Sequence, residues 1–211
     1  MIVLSFVLKR WFLIAAAIFV PATLLHAALP TETDIPNRPW LNGQLLIASP
    51  QLRQAAFHHS VILLVRHSRV GAFGIIVNRP AGKRSMARML KGFGLEATGV
   101  TGSVPVFFGG PVEQDVALVI HSIDYRRPDT LDIDGRVGLS DAADVLRDIG
   151  IGKGPNKSLI AFGYVGWDAS QLEDELGHGV WVTVPEDPAL VFDDDRSKVW
   201  ADALVRQKSI H

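Results

Sequence analysis

The chain of 211 residues contains no cysteine. That absence removes disulfides, thiolate metal sites, Cys-x-x-Cys redox motifs and cysteine nucleophiles together. It leaves the compartment open, because a cysteine-free chain is stable in either redox environment. A surplus of one charge sign is missing as well: 21 basic residues face 22 acidic ones, a net −1 at pH 7. Taking Lys9 and Arg10 away with the first 27 residues leaves 19 basic against 22 acidic, a net −3. A body this close to neutral is a poor general binder of a phosphate backbone. The chain has no Gly-x-Ser-x-Gly elbow for a nucleophilic serine. His58, His59, His67, His121 and His178 form neither an i, i+4 helical pair nor His-x-His. The adjacent His58 and His59 would point to opposite faces of an extended segment, so no metal site is expected; no cofactor is expected either.

Apolar residues make up 48% and charged residues 20%, the balance of a globular chain. Residues 1–28 stand apart. Lys9 and Arg10 precede an uncharged run from Trp11 to Leu25, and His26-Ala27-Ala28 leads out of it. A positive flank, an apolar run and a small-residue exit are the parts of a secretory signal. Retained, Trp11 to Leu29 could just span a bilayer as an anchor. A start codon assigned too early is the third reading. The expected organisation is a signal peptide or membrane anchor at 1–28, a linker at 29–39 marked by Pro36 and Pro39, and one domain at 40–208. The first two readings imply export or anchoring on the periplasmic side, with membrane contact only through residues 1–28.

In the body, Leu45–Ala48, Val61–Val65 and Ala72–Val77 read as apolar strands, the last two as a hairpin buried on both faces. Met86, Met89, Leu90 and Phe93 share a helical face, with Lys83, Arg84, Arg88 and Lys91 off it. Val104–Phe108, Val116–Ile120, Leu159–Phe162 and Trp181–Val184 read as further strands. Ser140-Asp141 caps a helix with Val145, Leu146 and Ile149 inward. Asp193-Asp194-Asp195 precedes a last helix with Val199, Trp200, Ala203 and Leu204 inward, and acidic residues there suit the helix dipole. Intermixed elements with at least one hairpin predict a mixed α/β (α+β) single domain, its mixed sheet flanked by helices.

The segment from Gly163 to Glu173 carries the strongest site signal. It is expected to leave a buried strand, turn sharply at its glycines and enter a helix. Full burial of Tyr164 or Trp167 would stabilise by about 4–6 kcal/mol as an upper figure, so anchoring the turn is their plain use. Ser170-x-x-Glu173 fits a capping box, a structural use for the carboxylate that could otherwise act as an acid. Gly109-Gly110-Pro111 is a second glycine turn, a tight bend or an anion-holding nest. Asn78-Arg79-Pro80 ends a strand, where Arg79 either holds a carboxylate or phosphate or is merely solvated. The candidate ligand-binding set is therefore Asn78, Arg79, Gly109, Gly110, Tyr164, Trp167, Gln171 and Glu173. Arg79, Gly110 and Tyr164 are expected to meet on one face. Gly152–Ser158 fails as a phosphate loop, because Asn156 replaces the required glycine and a strand follows.

Ordered motifs from Leu41 to about Leu204 carry a resemblance. They are Gly43–Pro50, Phe57–Val61, Gly74–Pro80, Gly109–Val112, and Gly163–Trp167 with Gln171-Leu172-Glu173. Together they resemble the YqgE/AlgH family of bacterial proteins. The resemblance implies a strongly curved mixed sheet with helices against it and a cytoplasmic location, from which residues 1–28 depart. It implies no reaction. One branch is named for control of alginate production, so "transcriptional regulator" attaches by name.

The leading expectation is a non-catalytic binding or regulatory protein acting through an unknown protein or small-molecule partner. The alternative is an enzyme of undetermined class, such as a hydrolase, with Arg79, Tyr164 and Glu173 in a shared cleft. A transcriptional regulator is the third, supported by the family name alone.

Overall fold

The computed structural model describes residues 40–210. The expected signal or anchor at 1–28 and the linker at 29–39 lie outside the described residues. No helix among those described is long and apolar enough to cross a membrane.

Among the described residues, ten strands form a single curled sheet of the half-barrel kind. They are β1 (Gln44–Ala48), β2 (Val61–Ser68), β3 (Gly71–Ile76), β4 (Pro80–Ser85), β5 (Ser103–Phe108), β6 (Val112–Ser122), β7 (Leu131–Asp132), β8 (Val137–Asp141), β9 (Ser158–Trp167) and β10 (Trp181–Pro185). The helices are α1 (Met86–Gly92), α2 (Ala142–Gly150), α3 (Gln171–Gly177), α4 (Pro188–Val191) and α5 (Val199–Ile210). The main path runs β10-β1-β2-β3-β9-β6-β8-β7, and β5 lies between β4 and β9. Its contact with β9 is parallel, while the other pairings are antiparallel. The sheet is therefore mixed, with its helices packed on it, as the intermixed pattern predicts.

Alternation along the strands divides the apolar residues among three clusters. Leu45, Leu63, Ile75, Leu118 and Leu159 face one side, where Val191 of α4 and Val199 and Ala203 of α5 cover them. Their neighbours Leu46, Ile62 and Ile76 face the other side and join Trp167, Leu172 and Trp181. Around α1 and α2, Met86, Leu90, Val145 and Leu146 pack on Val106, Val119 and Ile160. Burial on both faces is why β2 and β3 read as continuous apolar runs.

Strand β9 joins these regions, and its course differs from the expected turn. Gly163-Tyr164-Val165-Gly166-Trp167 is the second half of a ten-residue strand. Its first half pairs with β5 and β6, its second half with β3 and, at Tyr164, with the start of β6. Leu159 and Ala161 face the first cluster, Gly163 takes φ +75°, and Tyr164 resumes the same face one residue late. Gly163 is thus an inserted bulge residue in the left-handed region, which glycine adopts without penalty. The Gly109-Gly110 link presses against this point: the Gly109 N–H donates to the Phe162 carbonyl at 2.8 Å. A Cβ on Gly110 would lie 2.1 Å from the Tyr164 carbonyl oxygen, and one on Gly163 2.3 Å from that of Gly110. Both glycine motifs therefore serve a close backbone crossing.

Other expectations also change. Strand β4 was not expected, because its sequence PAGKRS is almost entirely exposed and carries no apolar alternation. Strand β6 extends well beyond Val116–Ile120, through polar residues at its start. His58 and His59 occupy a turn, not an extended segment. Their rings stack at 3.8 Å, and the His59 ring stacks at 3.8 Å on Trp200 of α5. His59 itself has φ +56°.

Candidate ligand cleft beside helix α3

Helix α3 packs through its buried Leu172 onto the Trp167 and Trp181 face of the sheet. The expected capping box does not form. Ser170 is left-handed at φ +66°, and its side chain makes no cap bond. The Gln171 side chain instead accepts from the Asp168 N–H at 3.1 Å. Glu173 turns to β2, where its Oε1 lies 3.0 Å from His67 Nε2. The Leu41 N–H donates to His67 Nδ1 at 3.3 Å. With Nδ1 accepting, the ring proton sits on Nε2 and is donated to Glu173.

Two residues further along α3, Glu175 closes a second set of bonds. Its Oε2 accepts from the indole N–H groups of Trp167 at 2.9 Å and Trp181 at 2.6 Å. Its Oε1 accepts from the Gln171 amide at 2.9 Å. A buried indole N–H needs such a partner, so this carboxylate fixes both tryptophans.

Phe57 stands opposite. The Phe57 and Trp181 rings meet edge-on at 5.9 Å and 77°, those of Trp167 and Trp181 at 6.2 Å and 83°. These rings, with Gly166, Gln171 and Glu175, line a cleft of about 280 Å³. Leu52, Gln54, Val165 and Val180 complete the lining, which among the described residues holds one carboxylate and no cationic side chain.

Asn78 and Arg79 act on this cleft from behind. Asn78 Oδ1 accepts from the Val61 N–H and its Nδ2 donates to the His59 carbonyl, both at 2.9 Å. Arg79 donates to the carbonyls of Ala56 and His58 and to Ser60 Oγ, and its guanidinium lies over the Phe108 ring. The pair therefore staples the turn that carries Phe57.

The eight candidate residues thus separate. Trp167 and Gln171 line the cleft, Glu173 stands beside it on α3, and Asn78 and Arg79 hold its outer turn. Gly109 and Gly110 belong to the backbone crossing. Tyr164 turns the other way, its ring 4.8 Å from Phe73 in the first cluster. Tyr164 therefore does not share a cleft with Glu173. Glu175, Trp181 and Phe57 escaped the sequence reading. The available signal was two tryptophans needing acceptors and a Gln-to-Glu pair four apart on one helix.

A second cleft of about 500 Å³ opens near α1, lined by Lys83, Arg84, Arg88, Phe162 and Asp115 among others. The Arg84 guanidinium lies 4.2 Å over the Phe162 ring. Elsewhere, Glu186 is buried beside Asp134 under the Arg136 guanidinium, which reaches both carboxyls at 2.9 and 3.1 Å. Burial, then a hydrogen bond to Asp134, pushes the Glu186 carboxyl up to about 8. Among the described residues no group of three or more His, Asp or Glu is arranged to hold a metal ion.

Fold and cleft define a single-domain curled-sheet protein with an aromatic-walled pocket beside a short acidic helix. The chain belongs to the AlgH-like family, DUF179, whose model matches residues 45–210. A UPF0301 protein of Afipia carboxidovorans is 40% identical over 184 residues, covering 83% of this chain and 88% of its own. One from Methylococcus capsulatus is 39% identical over 163 residues, covering 77% and 89%. The solution structure of AlgH from Pseudomonas aeruginosa aligns with TM-score 0.66 at 35% identity, covering 85% of this chain and 93% of that one. A crystal structure from Corynebacterium diphtheriae shares the fold at 21% identity, with TM-score 0.62 and coverage of 81% and 88%. None of these names carries a reaction.

Proposed function

We propose that the protein is a non-catalytic binding domain whose ligand occupies the cleft between α3, β9, β10 and the turn bearing Phe57. The observation that carries this reading is the state of Glu175. It is the one carboxylate in the lining, and two indoles and an amide already hold it. A group so engaged is a fixed acceptor and is poorly placed to exchange protons with a substrate. The residues an enzyme would need together, Arg79, Tyr164 and Glu173, are occupied in three different places. Ligand-observed NMR against a library of small metabolites tests the proposal, using the protein and a Gln54→Trp variant that plugs the cleft from an exposed position. Binders should lose contact with the plugged variant. Steady conversion of a binder into product would overturn the non-catalytic reading.

The leader at residues 1–28 supports a place of action beyond the cytoplasm. An intact mass matching a chain that begins at Ala28, from an exported soluble fraction of its own cells, is the expected result. A cytosolic chain beginning near Pro39 would refute it.

Contact with a polyanion such as DNA is a second reading, favoured by the Lys83, Arg84 and Arg88 cleft. Electrostatic association is strongest at low salt, so failure to retain DNA there removes it.

A further inference from the structure

We infer that the cleft beside α3 recognises a quaternary, or trimethylated, ammonium headgroup. The inference deepens the binding reading above and rests on it. Three aromatic rings form the walls, with Trp181 meeting Phe57 and Trp167 at near right angles, and a carboxylate stands among them with no cation among the described lining residues. The ring faces of Trp and Phe attract a positive charge through their quadrupole, within about 6 Å of the centroid. Glu173 and Asp174, beside Glu175 on α3, add to the negative charge of this helix.

The bonding of Glu175 narrows the class further. Its two oxygens already accept three hydrogen bonds from Trp167, Trp181 and Gln171. A primary ammonium brings three N–H donors that each need an acceptor, and the aromatic walls supply none. A trimethylammonium carries the same charge with no donor to satisfy. Its methyl groups fit an apolar wall, and the charge meets the carboxylate's field.

The test compares choline with 3,3-dimethylbutan-1-ol, its uncharged isostere, by following the indole N–H signals of Trp167 and Trp181. Choline should shift both signals and bind at least about tenfold more tightly than the isostere. Glu175→Gln should abolish that preference. Phe57→Leu, which keeps apolar bulk at a half-buried position, should weaken choline by several-fold while the thermal midpoint holds. A peptide bearing trimethyllysine forms a separate arm. Tighter binding of the peptide assigns the headgroup to a protein partner, and tighter binding of choline to a free metabolite. Equal shifts by choline and its isostere would overturn the ammonium inference while leaving a binding cleft in place. No shift by choline or the peptide would overturn it too. In that case, library binders displaced by Gln54→Trp would keep the broader reading, and their absence would end both.

Discussion

His67 on β2 donates its Nε2 proton to Glu173 on α3 at 3.0 Å, a contact between residues 106 positions apart. The His67 ring is almost fully covered, and the carboxylate is about one third exposed. This bond, with the Leu41 N–H on Nδ1, pins the first described residues and α3 to the same strand. Glu173→Ala should destabilise the fold by about 1 kcal/mol, the charged bond being discounted for its exposure. Denaturant unfolding checks this, and an unchanged midpoint would contradict it; the His67 ring should stay protonated on Nε2 in the variant, because the Leu41 N–H still donates to Nδ1.

The crossing at Gly163 gives the sharpest stability prediction. Gly163→Ala places a methyl carbon 2.3 Å from the Gly110 carbonyl oxygen at a backbone φ of +75°. Strain and overlap add, so a loss of at least about 3 kcal/mol is expected in denaturant unfolding. Gly92→Ala is the control. That glycine lies in α1 with nothing within 4 Å of the added atom, and alanine there should gain about 0.5–1 kcal/mol.

Glu186 sets a slope of stability against pH. Its carboxyl is held up to about 8, against an ordinary value of 4.5. Between those values the folded chain keeps a proton that the unfolded chain releases. Stability therefore falls as pH rises from about 4.5 to about 8, by on the order of a few kcal/mol. Melting curves across that range should flatten in Glu186→Gln. An unchanged slope would mean that the pair with Asp134 does not share a proton.

His121 works in the opposite sense. It is fully buried and bonded to Ser140 Oγ and the Ser122 carbonyl, and burial pulls its imidazole below 6.5. The unfolded chain takes up a proton first as pH falls, so the stabilisation is lost progressively below 6.5. In Glu186→Gln this acid-side decline should remain, and His121→Gln should remove it.

Arg79 offers a test of action at one remove. Arg79→Lys keeps the charge but loses the fork that reaches Ala56, His58 and Ser60. Amide exchange at residues 57–61 should quicken, and any ligand of the cleft should bind several-fold more weakly. Unaltered exchange there would show that Asn78 alone holds the turn.

Much of the fold was legible because its signals are local. Apolar runs marked β2 and β3, and the Met86-to-Phe93 spacing marked α1, each from a few adjacent residues. Strand β4 was not legible, since exposed PAGKRS is held by pairing with β5 and has no pattern of its own. The turn assigned to Gly163–Trp167 failed because one glycine inserted into a strand looks locally like a glycine ending one. Two of the ten lining residues of the cleft, Trp167 and Gln171, were legible. Glu175 was passed over for Glu173 because Ser170-x-x-Glu173 offered a local bond. The actual partners came from β2, β9 and β10, contacts that only the tertiary arrangement creates.

Phe162 and Trp167 line different clefts, yet both belong to β9. They are separated by roughly 17 Å of continuous strand. The aromatic cleft also draws on the turn before β2 and on β10, and the basic one on β4, α1 and β6. No cut of the chain can therefore deliver either cleft alone. A fragment long enough to build one must contain the strand that floors the other, and dissection by truncation would destroy both at once.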